Sequence, residues 1–157
     1  MMEMQVAILR NLAVQVGVQP LREVAKSPGL TEAYRISVHY AGMRAPDSVT
    51  TIRCYRQSTP VLESVYLGFF HHKPIVRRVS VPQFEQFRRG LISLRFDKLK
   101  DQPNTPLLDV DLWLLERAAN GFEKSVLIAP VNAFDAYAQI IELTRRCLPD
   151  ALRELQG

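Results

Sequence analysis

His71 and His72 stand side by side in this 157-residue chain, and His39 is the third histidine. Imidazole is the side chain that titrates nearest neutral pH and is also a common metal ligand. A metal reading of the pair needs another ligand, and His39 or Cys54 is the candidate by residue type. Adjacent residues in a turn point in different directions, and Lys73-Pro74 follows directly. The pair therefore reads as a solvated turn. Asp109 and Asp111 lie two apart where a strand begins, so their carboxylates share a face. Such a pair can split its pKa values and perform acid–base work; a polar strand start is the simpler account. Cys54 and Cys147 are far apart and in no Cys-x-x-Cys spacing, so they read as small core residues. As nucleophiles they would need a base and an electropositive setting that the sequence does not supply. No catalytic residue, metal or cofactor is assigned from these groups.

The sequence holds no Gly-x-x-x-x-Gly-Lys loop, Gly-x-Gly-x-x-Gly fingerprint, Gly-x-Ser-x-Gly elbow or His-Glu-x-x-His helix. The commonest phosphate-cradling, acyl-transfer and zinc-hydrolase readings thus lack their signatures. Charge is more informative. The chain is +4 overall, but residues 1–100 hold fifteen Lys+Arg against seven Asp+Glu, and residues 101–157 five against nine. Such asymmetry points either to an acidic partner or to compensation between the two parts. Lys73, Arg88, Arg89 and Arg95 can form a basic binding surface, with Tyr55 nearby. Arg77 and Arg78, in a strand, face opposite ways. Trp113, the one tryptophan, sits in a strand whose faces alternate Leu112/Leu114 and Trp113/Leu115. It contacts a partner if helices cover the Leu112 side and joins the core if they cover its own.

Hydrophobic residues make up 47% and charged residues 23%, which excludes disordered and low-complexity classes. Residues 1–30 are ambiguous. Leu12, Val14, Val16 and Val18 alternate as in a strand, while Val6, Leu9, Ala13 and Val16 fit a helical stripe. Their β-branched content favours the strand. Beyond them, Tyr34, Ile36, Val38 and Tyr40 alternate with polar residues, and Val49–Arg56 follows as a second strand. Val61–Phe70 reads as a strand buried on both faces near the sheet centre. Ile75–Val79 is a shorter one. Ser80, Pro82 and Gln83 form a helix-start signature ahead of Phe84, Phe87, Leu91 and Leu94 on one face. Gly90 weakens that helix by about 1 kcal/mol relative to Ala. Asp111–Arg117 and Phe122–Ala129 form a hairpin about Asn120-Gly121. Asn132 is the expected N-cap of a last helix burying Tyr137, Ile140, Ile141, Thr144 and Leu148, and Asp150–Leu155 forms a terminal helical turn.

Strands in runs rather than one-for-one with helices indicate an α+β domain. We expect an antiparallel or mixed sheet of five to seven strands, with two main helices on one face and solvent or a partner on the other. Residues 31–157 form the domain, with 1–30 part of it or appended. The C-terminal cadence of Leu108-Asp109, Trp113–Glu116, Asn120-Gly121, Ala129-Pro130 and Leu148-Pro149 resembles many small bacterial α+β proteins of unknown function. The resemblance implies architecture only. The first functional expectation is a non-enzymatic accessory domain in the cytoplasm that binds a protein partner. Nucleic-acid binding through residues 71–100 is the alternative, and an enzyme using His71, His72, Asp109 or Asp111 is the third. A homodimer through a sheet edge or the open face is also expected.

Overall fold

The computed structural model describes residues 2–153. Helix α1 spans Met2–Gln15 and a short α2 spans Leu21–Val24. Strands β1 (Leu30–His39), β2 (Ser48–Tyr55), β3 (Val61–Tyr66) and β4 (Ile75–Arg78) form a meander. Helix α3 (Val81–Ser93) leads back across the sheet to the hairpin β5 (Leu112–Ala119) and β6 (Phe122–Ile128), and α4 (Asp135–Cys147) follows. All strand pairings are antiparallel, in the order β4-β3-β2-β1-β5-β6. The α+β class and the antiparallel sheet follow the expectation from patterning. The expected turn at 150–155 lies partly outside the described residues; within them a 3₁₀ turn covers Pro149–Ala151.

One face of the sheet carries the large core. Tyr34, Ile36 and Val38 of β1 and Trp113 and Leu115 of β5 meet Phe84, Phe87 and Leu91 of α3 and Ile140 and Ile141 of α4. The Tyr34 ring packs edge-on against Phe84 and Phe87, with centroids 5.8 and 5.7 Å away. Each such fully buried side chain contributes roughly 1.5–3 kcal/mol of transfer free energy. Ser80 caps α3, its Oγ accepting from the Gln83 amide at 3.3 Å. Gly90 has a packing reason: a Cβ there would lie 2.5 Å from Leu143 Cδ2 of α4. The two helices approach through that missing methyl.

The second face is covered too, contrary to the expectation of an open face, and residues 2–15 form a helix rather than a strand. Leu9 packs with Leu112, Leu114 and Leu127, and Leu12, Ala13 and Val16 pack with Val49 and Val65. Burial against a sheet outweighs the β preference of Val14 and Val16, since packing of an apolar stripe supplies most helical stability in proteins. The alternating pattern misleads because Val14 simply points outward. Strand β3 also differs from expectation. It ends at Tyr66, one place in from the edge, and β1 is a central strand instead. Gly68, at φ 79°, turns the chain, leaving Phe69 and Phe70 exposed. The Asn120-Gly121 turn forms as read, both residues at positive φ.

Asn132 is not the N-cap of α4, which begins after Phe134. It serves the β6 edge instead. Gln102, fully buried, donates through Nε2 to Asn132 Oδ1 at 2.8 Å and to the Ala129 carbonyl at 3.3 Å, and accepts from the Ala129 amide at 3.1 Å. The Gln102 amide also donates to the Leu127 carbonyl at 2.9 Å. This loop thereby satisfies backbone groups that an edge strand otherwise offers to other chains. We predict that Gln102→Ala, which orphans the buried Ala129 amide while its carbonyl keeps the Asn132 amide, destabilises the protein by about 1–3 kcal/mol. Urea unfolding should show a lowered midpoint with an unchanged m-value.

A candidate carboxylate-binding crevice

The strands place a polar belt in the middle of the α1 face. Arg35 of β1 stands in register with Thr51 of β2 and Glu116 of β5. Its residue is only 2% exposed. Nε donates to Thr51 Oγ1 at 3.1 Å, while Nη2 is buried without a hydrogen-bond partner. The next inward residue on this face, Ser37, likewise has a buried Oγ with no partner. Farther out, Arg53 lies 3.3 Å from Glu63. An unmatched buried donor costs roughly 1–3 kcal/mol, more when charged, so it needs a structural or functional reason.

A crevice of about 420 Å³ opens beside this belt. Its floor holds Arg35 and Glu116; α1, α2 and their connection supply Ala13, Val14, Val18 and Leu21; Arg10, Arg22, Glu123 and Ser125 stand at its rim. Arg10 Nη2 donates to Ser125 Oγ at 3.0 Å, linking α1 to β6. The volume falls in the range of small-ligand sites. Burial pulls the Arg35 guanidinium down to about 10, opposed by Glu116, so it remains charged at neutral pH. Burial pushes the Glu116 carboxyl up, opposed by Arg35 and then Arg10. A fixed cation in a partly apolar crevice binds carboxylate more strongly than an exposed one, because less water competes.

The residues singled out from sequence lie elsewhere. Trp113 is 1% exposed beneath α3 and α4, so the helices cover its own side and it offers no ring to a partner. Arg88 pairs with Glu32 at 3.0 Å and Glu85 at 3.7 Å. Arg89 reaches Glu85 at 3.8 Å, although its side chain is 80% exposed. Lys73 lies exposed in the β3–β4 connection, and Arg95, exposed at φ 55°, follows α3. The structure thus joins Arg88 and Arg89 through Glu85, brings Arg88 and Arg95 to one small crevice with Glu32 and Asp97, and leaves Lys73 on the β3–β4 connection. Glu32 further pairs with Arg117 at 3.4 Å, and Arg117 with Asp97 at 3.1 Å.

Of the groups considered for chemistry, His39, His72 and Asp111 are engaged locally, and His71 is exposed. His72 Nε2 accepts from the Gly68 amide at 2.9 Å, and His39 Nδ1 lies 2.8 Å from Asp47. Asp111 accepts from the Ala41 amide at 2.8 Å and also pairs with Arg44. Asp109 is exposed. Burial, then Glu32, pushes the Cys54 thiol up, away from the reactive thiolate. Among the described residues no three His, Cys, Asp or Glu side chains are grouped to hold a metal ion. None of them forms a helix long and apolar enough to cross a membrane. No protein-family model and no curated protein matches the chain.

Sequence reading passed over Arg35 and Glu116. Arg35 looked like the solvated side of an alternating strand, and that pattern is identical whether the polar side faces water or a second layer. The available signal was the helical stripe at Leu9, Ala13 and Val16, which required something to cover. The raised Glu116 has a stability consequence. A carboxyl whose folded pKa exceeds its unfolded value binds its proton longer in the native state, so stability falls as pH rises from about 4.5 through the folded value. Denaturant titrations across that window should show this decline, and Glu116→Gln should flatten it.

Proposed function

We propose that this chain is a non-enzymatic accessory domain that works by binding, that the α1–α2 crevice is its site, and that the group it takes is a carboxylate. The observation that carries the reading is Arg35: a buried guanidinium on the crevice floor with an unmatched Nη2. A carboxylate accepts two parallel N–H bonds from such a fork, the strongest match available to arginine. Binding rather than catalysis is supported by the engagement of His39, His72 and Asp111 with neighbouring groups. The two buried free cysteines are in keeping with a reducing cytoplasm. A protein partner can present the carboxylate on an acidic side chain, and a small molecule can present it free.

The test is a titration of the ¹⁵N-labelled protein with hexanoate and, in parallel, with acetyl-glutamate amide. We expect amide shifts confined to residues 10–22, 34–36 and 114–125. Arg35→Lys, which keeps the charge and loses the fork, should weaken binding about tenfold or more. The two probes separate a free ligand from a partner's side chain by which binds tighter. Absence of shifts with both at tens of millimolar would overturn the proposal.

A further inference from the structure

The crevice holds more than a cation. Arg35 and Glu116 face each other across β1 and β5 yet form no ion pair within 4.0 Å. Glu123 stands on the same wall and is close enough to Glu116 to raise its pKa. A plain carboxylate seated on Arg35 would therefore lie beside two acids, and a plain amine would lie beside Arg35 and Arg10. Each half-ligand meets a like charge. The walls from α1 and α2 are apolar, through Ala13, Val14, Val18 and Leu21. Arg22, Arg117 and Lys124 also line the crevice. A ligand that matches Arg35, Glu116 and the apolar wall together carries an anion and a cation a few ångströms apart on an apolar body.

We infer that the crevice is a site for a free α-amino acid with an apolar side chain. Its carboxylate meets Arg35, its ammonium meets Glu116 with Glu123 behind it, and its side chain lies along Val14, Val18 and Leu21. The volume of about 420 Å³ accommodates a molecule of this size with room for bridging water. This inference rests on the carboxylate reading above and adds the ammonium subsite and the apolar wall. Binding supplies the acceptor that Arg35 Nη2 lacks. Burying either charge without its match is what a half-ligand would leave behind.

Calorimetry on the full chain tests this with three isosteric probes: L-leucine, 4-methylpentanoate, which lacks the amine, and 3-methylbutylamine, which lacks the carboxylate. We expect leucine to bind at least about tenfold tighter than either half. Glu116→Gln should abolish the preference for leucine over 4-methylpentanoate while retaining affinity for the latter, which also shows that the variant is folded. Equal affinity for leucine and 4-methylpentanoate would overturn the ammonium subsite and leave the carboxylate reading standing. Equal affinity for leucine and the amine would overturn both. Binding of hexanoate without leucine would overturn the amino-acid inference alone.

Discussion

The structure depends on β1 being covered on both faces. A strand next to the middle of a six-stranded sheet cannot leave one side to water when helices lie against both. On the α3–α4 side β1 presents Tyr34, Ile36 and Val38, and one continuous core forms there. On the α1 side it presents Ala33, Arg35 and Ser37, and the apolar contacts split into three smaller clusters at Leu9, at Leu12 with Val16, and at Leu21 with Val24. The guanidinium in mid-strand interrupts what would otherwise be a dry seam. The two layers are consequently unequal in hydrophobic support, and the candidate site lies under the weaker one. Ligand-binding elements are commonly drawn from the less stable parts of a fold.

The same strand organises the charges. The basic excess of residues 1–100 meets the acidic excess of residues 101–157 through tertiary contacts: Arg44 pairs with Asp111, and Arg10 and Arg35 act on Glu116. In the reverse sense, Arg117 pairs with Glu32 and Asp97. The two parts thus exchange charge in both senses, and most ion pairs of residues 1–100 lie within that part. Arg35 and Arg53 each keep a buried nitrogen without a hydrogen-bond partner, and of the two only Arg35 is almost wholly buried.

Local chemistry made several elements legible. Asn120-Gly121 accepts positive φ at both positions, so the β5–β6 hairpin could be placed from two residues and their flanks. Ser80 marked the start of α3 because its Oγ accepts from the Gln83 amide, whereas the Gln83 side chain donates to the Cys147 carbonyl of α4. The spacing of Tyr137, Ile140, Ile141 and Thr144 identified the buried face of α4. Asn132 failed as a cap because Gln102 and Asn104, about thirty residues away in sequence, claim its side chain. Residues 2–15 failed as a strand because the face that holds them helical is assembled from β2, β3, β5 and β6.

By itself the sequence determined the α+β class, the strand periodicity, the hairpin and the Ser80 cap, because each rests on backbone preferences and contacts within a few residues. Only the tertiary structure decided which face of β1 was solvated, since alternation marks two faces without saying what lies against each. That decision buried Arg35, brought Glu116 opposite it from eighty-one positions along the chain, and closed α1 and α2 over the pair. Five elements, α1, α2, β1, β5 and β6, form the crevice, and such convergence leaves no local trace in the chain.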